Sequence, residues 1–384
     1  MTGGTTRPRT SLWRLPAMRA LVGATTLGFV SYCLTLASLP AYAVAGGASP
    51  DTAGVVTAVF LLVTVAVQST IPALTARLGL GPVLAAGMLA LGAPAPLYVV
   101  DDGVLWLSAV SAVRGAGFAV LTVLGATLSA QVAPSERRGE SIGLYGLAIA
   151  VPNLIAVPAG VALVLDGHTA VLSWLAAAPV LALPLVAVLA RAVRWQAGPG
   201  TSSRAAVRAA LAPSAVLFVV TLAGGGLVTF LPIERPDGVL ATVALLVFGV
   251  TGALTRWRAG LLVDRVGTGR LLPSTLLLGA AGMAVVALGL GTGDAVVLLG
   301  AALFGAGYGA VQNLTLVTAF TRAGEGGATA ASALWNASFD AGTALGALAL
   351  GVVAAGAGLS WTYLLVTAVL VAALPVARAA TRPA

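Results

Sequence analysis

Asp340 and Arg114 are the two charged residues whose positions call for a chemical reading. Asp340 lies about twelve residues inside one long apolar run and Arg114 about ten residues inside another. At a helix rise of about 1.5 Å per residue, both fall near the middle of a hydrocarbon layer about 30 Å thick. A charge there costs about 2.5–3.5 kcal/mol on insertion scales, so intramembrane ionisable residues are kept for ion or proton handling, or for pairing with one another. Arginine stays charged, whereas a carboxyl group can take up and release a proton. Loss of water and a nearby cation pull a carboxyl group's proton affinity in opposite directions. Asp340 is therefore the expected proton carrier. Arg114 is expected to be a tethered charge that pairs with the ionised acid and lets go of the protonated one. The alternative is a permanent Arg–Asp pair with a purely structural role.

Uncharged polar and aromatic residues surround these two in the sequence pattern. Asn336 and Asp340 are four apart and share a helix face, as do Tyr308 and Gln312. Trp335, Phe339 and Asn313 lie beside them, and Tyr32, Gln68, Tyr145 and Asn153 occur in other apolar runs. An amide facing lipid would be unsatisfied, so these side chains are expected to face the protein interior. They line a substrate pocket or hydrogen-bond between helices. No nucleophile–base pair or acid cluster accompanies them, which excludes an enzyme site. The single cysteine, Cys33, and single histidine, His168, exclude a disulfide and a metal centre. No cofactor is expected. A phosphate loop is excluded because the chain has no lysine.

The elements that position these residues follow from composition. Of the 384 residues 59% are hydrophobic and 8% charged, and the mean hydropathy is +1.02. Soluble domains carry about 25% charged residues, so the chain needs a bilayer as its partner. The net charge is +8, but the arginines are scattered between apolar runs and form no nucleic-acid-binding face.

Glycine, proline and charge punctuation divides the chain into twelve expected spans: 20–44, 53–73, 82–100, 104–132, 141–165, 170–190, 213–232, 239–257, 271–290, 295–319, 328–355 and 360–377. The first follows four arginines and ends near a small-x-small sequence, but it exceeds the roughly 7–15 residues of a signal-peptide core and is read as a retained span. If both termini are cytoplasmic, every arginine except Arg114 and Arg235 falls on the cytoplasmic side, and that bias sets the orientation. The expected location is the cell membrane, and the chain is expected to be a monomer. The polar stretch 191–212 is the expected cytoplasmic linker between an N-terminal bundle, 1–190, and a C-terminal bundle, 213–384.

The halves repeat. Arg77, Gly79 and Gly81 recur as Arg265, Gly267 and Gly269 at a constant offset of 188, the mark of a transporter built by duplication. The second copy reads Gly260-Leu-Leu-Val-Asp264-Arg265-Val-Gly267-Thr-Gly269-Arg270, and the first carries Ala76 where the second has Asp264. On these residues, and on Arg114-Gly115-Ala116-Gly117 in the fourth span, the chain resembles the major facilitator superfamily over nearly its whole length. It is most similar to the twelve-span drug and metabolite efflux branch, although Pro158 and Gly160 in the fifth span are not adjacent as in that branch's motif. The resemblance implies an all-α membrane protein of twelve helices in two pseudo-symmetric six-helix bundles. It implies that Gly260, Asp264, Arg265, Gly267 and Arg270, with Arg77 in the weaker first copy, form a loop that latches the halves. Asp264 can also face a helix N-terminus. Gly224-Gly225-Gly226 in the seventh span could permit a bend.

The expected function is proton-coupled export of a small amphipathic drug or metabolite by alternating access. An uptake symporter for a small metabolite is the alternative within transport, and a non-transporting membrane sensor or scaffold the alternative outside it.

Overall fold

A computed structural model describes residues 11–193, 203–234 and 239–382. In hydrocarbon each backbone polar group must be satisfied within its own segment, so apolar runs of this length become helices. Among the described residues eleven helices are long and apolar enough to cross a membrane, and a bent pair makes the twelfth. We number them α1 (Pro16–Ala45), α2 (Pro50–Gln68 and Ile71–Leu78), α3 (Leu80–Val99), α4 (Val104–Gln131), α5 (Arg138–Leu165), α6 (Thr169–Ala192), α7 (Ser203–Glu234), α8 (Val239–Val266), α9 (Thr268–Thr292), α10 (Asp294–Ala323), α11 (Ala328–Ala357) and α12 (Leu359–Ala380).

Two six-helix bundles result. In the first, α4 packs on α2 and α3, and α1 packs on α5 and α6; in the second, α10 lies between α8 and α9, and α7 packs on α11. The bundles meet where α5 crosses α8 and α10 and where α11 crosses α2 and α4.

Three expectations need correction. The seventh helix begins at Ser203 rather than 213, so Arg204 and Arg208 ride on α7; residues 194–202 of the expected linker lie outside the described residues. The repeated motif is not a loop: Gly260–Val266 is the last stretch of α8, and Ile71–Leu78 is the helical second piece of α2. Only the glycine that follows each is a turn. Gly79 (φ 81°, ψ 167°) and Gly267 (φ 83°, ψ 162°) adopt one conformation, in a region essentially reserved for glycine. The 188-residue repeat thus extends to backbone geometry. Third, Gly224-Gly225-Gly226 does not interrupt its helix. α7 runs unbroken, and these glycines lie against Tyr308 of α10 and Thr343 and Leu350 of α11, where small residues let helices approach closely.

The break in α2 has a local cause. Pro72 has no N–H to give the carbonyl of Gln68, four residues back, and its ring crowds that position. The two pieces of α2 meet at 56°. Ser69 and Thr70 turn their hydroxyls back onto the carbonyls of Ala66 and Val67. Gln68 is left as the last residue before the bend.

Candidate functional site

Gln68 is fully buried at that bend, and its Nε2 donates to Asp340 Oδ2 of α11 at 2.9 Å. This bond joins the two bundles. Asp340 is half-buried, twelve residues into α11 and so about 18 Å along it. Tyr32 of α1 and Tyr308 of α10 are within electrostatic range of the carboxylate. The Gln68 Oε1 has no partner.

One and two turns before Asp340, α11 is fastened to α4. Ser332 Oγ donates to the Val123 carbonyl at 2.7 Å. Asn336 Nδ2 donates to the Ser332 carbonyl at 2.9 Å and to the Thr122 carbonyl at 3.4 Å. The Tyr145 hydroxyl reaches the same Thr122 carbonyl at 3.4 Å, so α4, α5 and α11 meet there. Trp335 donates its indole N–H to Thr315 Oγ1 at 3.1 Å and stacks on Phe339.

Two aromatic clusters flank Asp340. Tyr32 stacks on Phe118 at 4.2 Å and on Phe60 at 5.5 Å, with Phe29 edge-on. Tyr308 packs with Phe248 and Phe304 at 5.0 and 5.8 Å. A small cleft opens beside Tyr32, lined also by Thr35, Leu39, Thr57, Phe60 and Ser111. It lies toward the end of the bundle opposite the arginine-rich helix ends.

Arg114 does not pair with Asp340. It is fully buried, and each of its nitrogens is engaged by a neutral oxygen. Nε donates to the Leu91 carbonyl of α3 at 2.9 Å. Nη1 donates to Thr35 Oγ1 at 3.1 Å and to the Tyr98 hydroxyl at 2.9 Å, and Nη2 to Ser31 Oγ at 2.9 Å and the Ser31 carbonyl at 3.2 Å. The guanidinium also lies over the Tyr98 ring. Arg114 ties α4 to α1 and α3.

Arg256 is the charge that sequence reasoning missed. Counted there with the loop arginines, it lies ten residues inside the end of α8 and is only 6% exposed. Its Nη1 donates to Gln312 Oε1 at 2.7 Å. Tyr145 and Tyr308 are within electrostatic range, and its side chain runs against Gly146 of α5. A signal was present: Gly139, Gly143 and Gly146 form a glycine face on α5, and a helix that approaches such a face must bury what it carries there.

At the arginine-rich end, Asp264 grips the first turn of α5. Its Oδ1 accepts from the Gly139 N–H at 2.9 Å and its Oδ2 from the Glu140 N–H at 3.0 Å. Those N–H groups have no helical partners and carry the positive end of the helix dipole. Arg137 and Glu140 form an ion pair beside them at 2.7 Å. Gly260 and Gly139 let the two backbones touch, and Asn313 Nδ2 reaches the Gly139 carbonyl at 3.4 Å. Arg265, Arg270 and Arg77 are exposed. Asn153 is also exposed, and its amide donates to the Ile149 carbonyl of its own helix at 3.0 Å, away from the Asp340 cluster.

A multi-pass helical protein of two bundles, with buried polar residues where they meet, has the architecture of a secondary transporter. The chain belongs to the Major Facilitator Superfamily, whose model matches residues 20–336. It is a transporter and not an enzyme. Its fold is similar to that of FucP in the outward conformation, with a TM-score of 0.77 and 16% identity over 97% of this chain and 100% of that one. A second structure of FucP, the E. coli fucose:proton symporter, gives 0.76 and 16% over 95% and 98%. The human organic anion transporter MFSD10 gives 0.77 and 14% over 97% and 100%. No curated protein matches by sequence.

Proposed function

We propose that the protein is a proton-coupled secondary transporter that exports a small amphipathic drug or metabolite from the cell by alternating access. The observation that carries this reading is the Gln68–Asp340 hydrogen bond between the bundles. An ionised carboxylate accepts a charge-assisted bond, roughly twice as strong as a neutral one. Protonation of Asp340 weakens the tie between α2 and α11, so proton uptake is coupled to the fit between the bundles. Arg114 keeps α4 seated on α1 and α3 and so holds the wall that α11 closes against. Tyr32, Gln68, Tyr308, Trp335, Asn336 and Phe339 line the path of the cargo.

With both termini cytoplasmic in a cell membrane, the Asp264 contact closes the inner side and the cleft beside Tyr32 opens outward. The protein works as a monomer of two bundles joined by a linker. Uptake by symport is the second reading, favoured by the fold shared with FucP, itself a fucose:proton symporter.

Reconstitution into proteoliposomes with an imposed pH gradient tests both. Cargo movement against the direction of proton flow supports export. Movement with the protons replaces it with symport, and flux indifferent to the gradient in wild-type protein removes proton coupling altogether.

A further inference from the structure

We propose that Arg256 is the recognition site for a carboxylate on the transported molecule, which is therefore an organic anion with an apolar or aromatic body. The inference rests on the transporter reading and deepens it. Among the described residues two arginines are buried at the core of the bundles, and they are treated differently. Arg114 has all three nitrogens engaged by neutral oxygens. Arg256 has only Nη1 engaged, by Gln312, while Nε and Nη2 have no partner. Buried donors are hydrogen-bonded in the great majority of cases, and an exception points to a missing ligand or a functional demand.

The identity of the two bare atoms gives the ligand's chemistry. Nε and Nη2 lie on one edge of the guanidinium plane and direct parallel N–H bonds outward. That edge is the fork that matches the two oxygens of a carboxylate. Gln312 holds the opposite corner and fixes the plane. The surroundings suit the rest of such a molecule, because Tyr308 carries the Phe248–Phe304 stack beside the site. In the present conformation α5 covers the fork: a side chain on Gly146 would strike Nε, Cδ and Cγ of Arg256. The edge is bared when α5 and α8 part, the movement that also releases Asp264 from Gly139. The carboxylate is therefore taken up in the state open at the arginine-rich end.

The test uses purified full-length protein in detergent, titrated with 3-phenylpropanoate or with its amide, which keeps the shape and lacks the charge, and read by thermal stability. The acid should stabilise the wild type at a concentration at least tenfold below the amide. Arg256→Lys keeps a positive charge but not the fork, and should lose that preference; Arg258→Gln, on the exposed neighbour, should retain it. Gln312→Met, which frees the guanidinium plane, should weaken acid binding selectively should Arg256→Lys fold poorly. Equal effects of acid and amide on the wild type, or an undiminished preference in Arg256→Lys or in Gln312→Met, would overturn the inference. Proton-driven flux is measured separately. Its persistence alongside absent acid preference removes the carboxylate site and leaves the transporter. Acid preference without such flux does the reverse.

Discussion

Gln68 and Asp340 are held together across the two bundles by a single amide-to-carboxylate hydrogen bond of 2.9 Å, placed at the bend that Pro72 forces into α2. The bend turns a lone glutamine toward the other bundle, so on the proposed reading one proton on Asp340 sets the strength of the seam between α2 and α11. Replacement of Asp340 by Asn keeps the size and the capacity to accept a bond but removes the titration. Asp340→Asn should insert and fold normally, and pH-gradient-driven flux in proteoliposomes should fall to background. Flux that still responds to the gradient would exclude Asp340 as the proton carrier.

Asp264 acts at the other seam. As an acceptor for two first-turn N–H groups it does the work of an N-cap, worth about 0.5–2 kcal/mol. Asp264→Ala should shift the equilibrium toward the state open at the arginine-rich end by about fivefold, the equivalent of ~1 kcal/mol. Maleimide labelling of a cysteine introduced at Ala330, in a Cys33→Ala background, measures that opening. An unchanged labelling rate would mean that the glycine contacts alone hold the seam.

Ala76 offers the opposite experiment. It occupies the position that Asp264 holds in the repeat, on a helix piece that packs against α11. Ala76→Asp should give the first turn of α11 an acidic partner, raise the thermal midpoint by a few degrees and slow labelling at Ala330. A lowered midpoint would show that the seam has no room for the carboxylate.

Arg114 is expected to act through stability. Arg114→Met strands Leu91, Thr35, Tyr98 and Ser31, and each buried polar group left unpaired costs about 1–3 kcal/mol. The yield of monodisperse protein in fluorescence-detected size exclusion should drop severely. The protein that does fold should keep its flux response to the pH gradient. Normal yield with uncoupled flux would instead make Arg114 part of the proton path.

Much of this arrangement was legible in one dimension, for physical reasons. Asp340 stands out because a carboxylate inside an apolar run has no topological explanation, and its four-residue spacing from Asn336 needs only helical periodicity. The correspondence of Gly79 with Gly267 was readable because a special backbone conformation demands glycine at both places. Arg256 was hidden. It stands two residues from the exposed Arg258, and no local pattern distinguishes them; burial is decided by how far α8 continues and by the glycine face of α5, which are matters of tertiary packing. The continuation of α2 past its expected end at 73 was hidden for a related reason. Pro72 announces a break, but whether a break ends a helix or redirects it depends on what receives the second piece, here α11.

The two copies of the repeat are unequal, and the inequality falls on a particular side. The seam with the acidic clasp, α5 on α8, contains neither Asp340 nor its partner Gln68. The seam that holds Asp340, α2 on α11, has Ala76 at the position of the acidic clasp. A symmetric duplicate would have to release both sides at once. If Asp340 carries the proton, as proposed, the side that receives it is the side without the acidic clasp, and the cycle is expected to open there first.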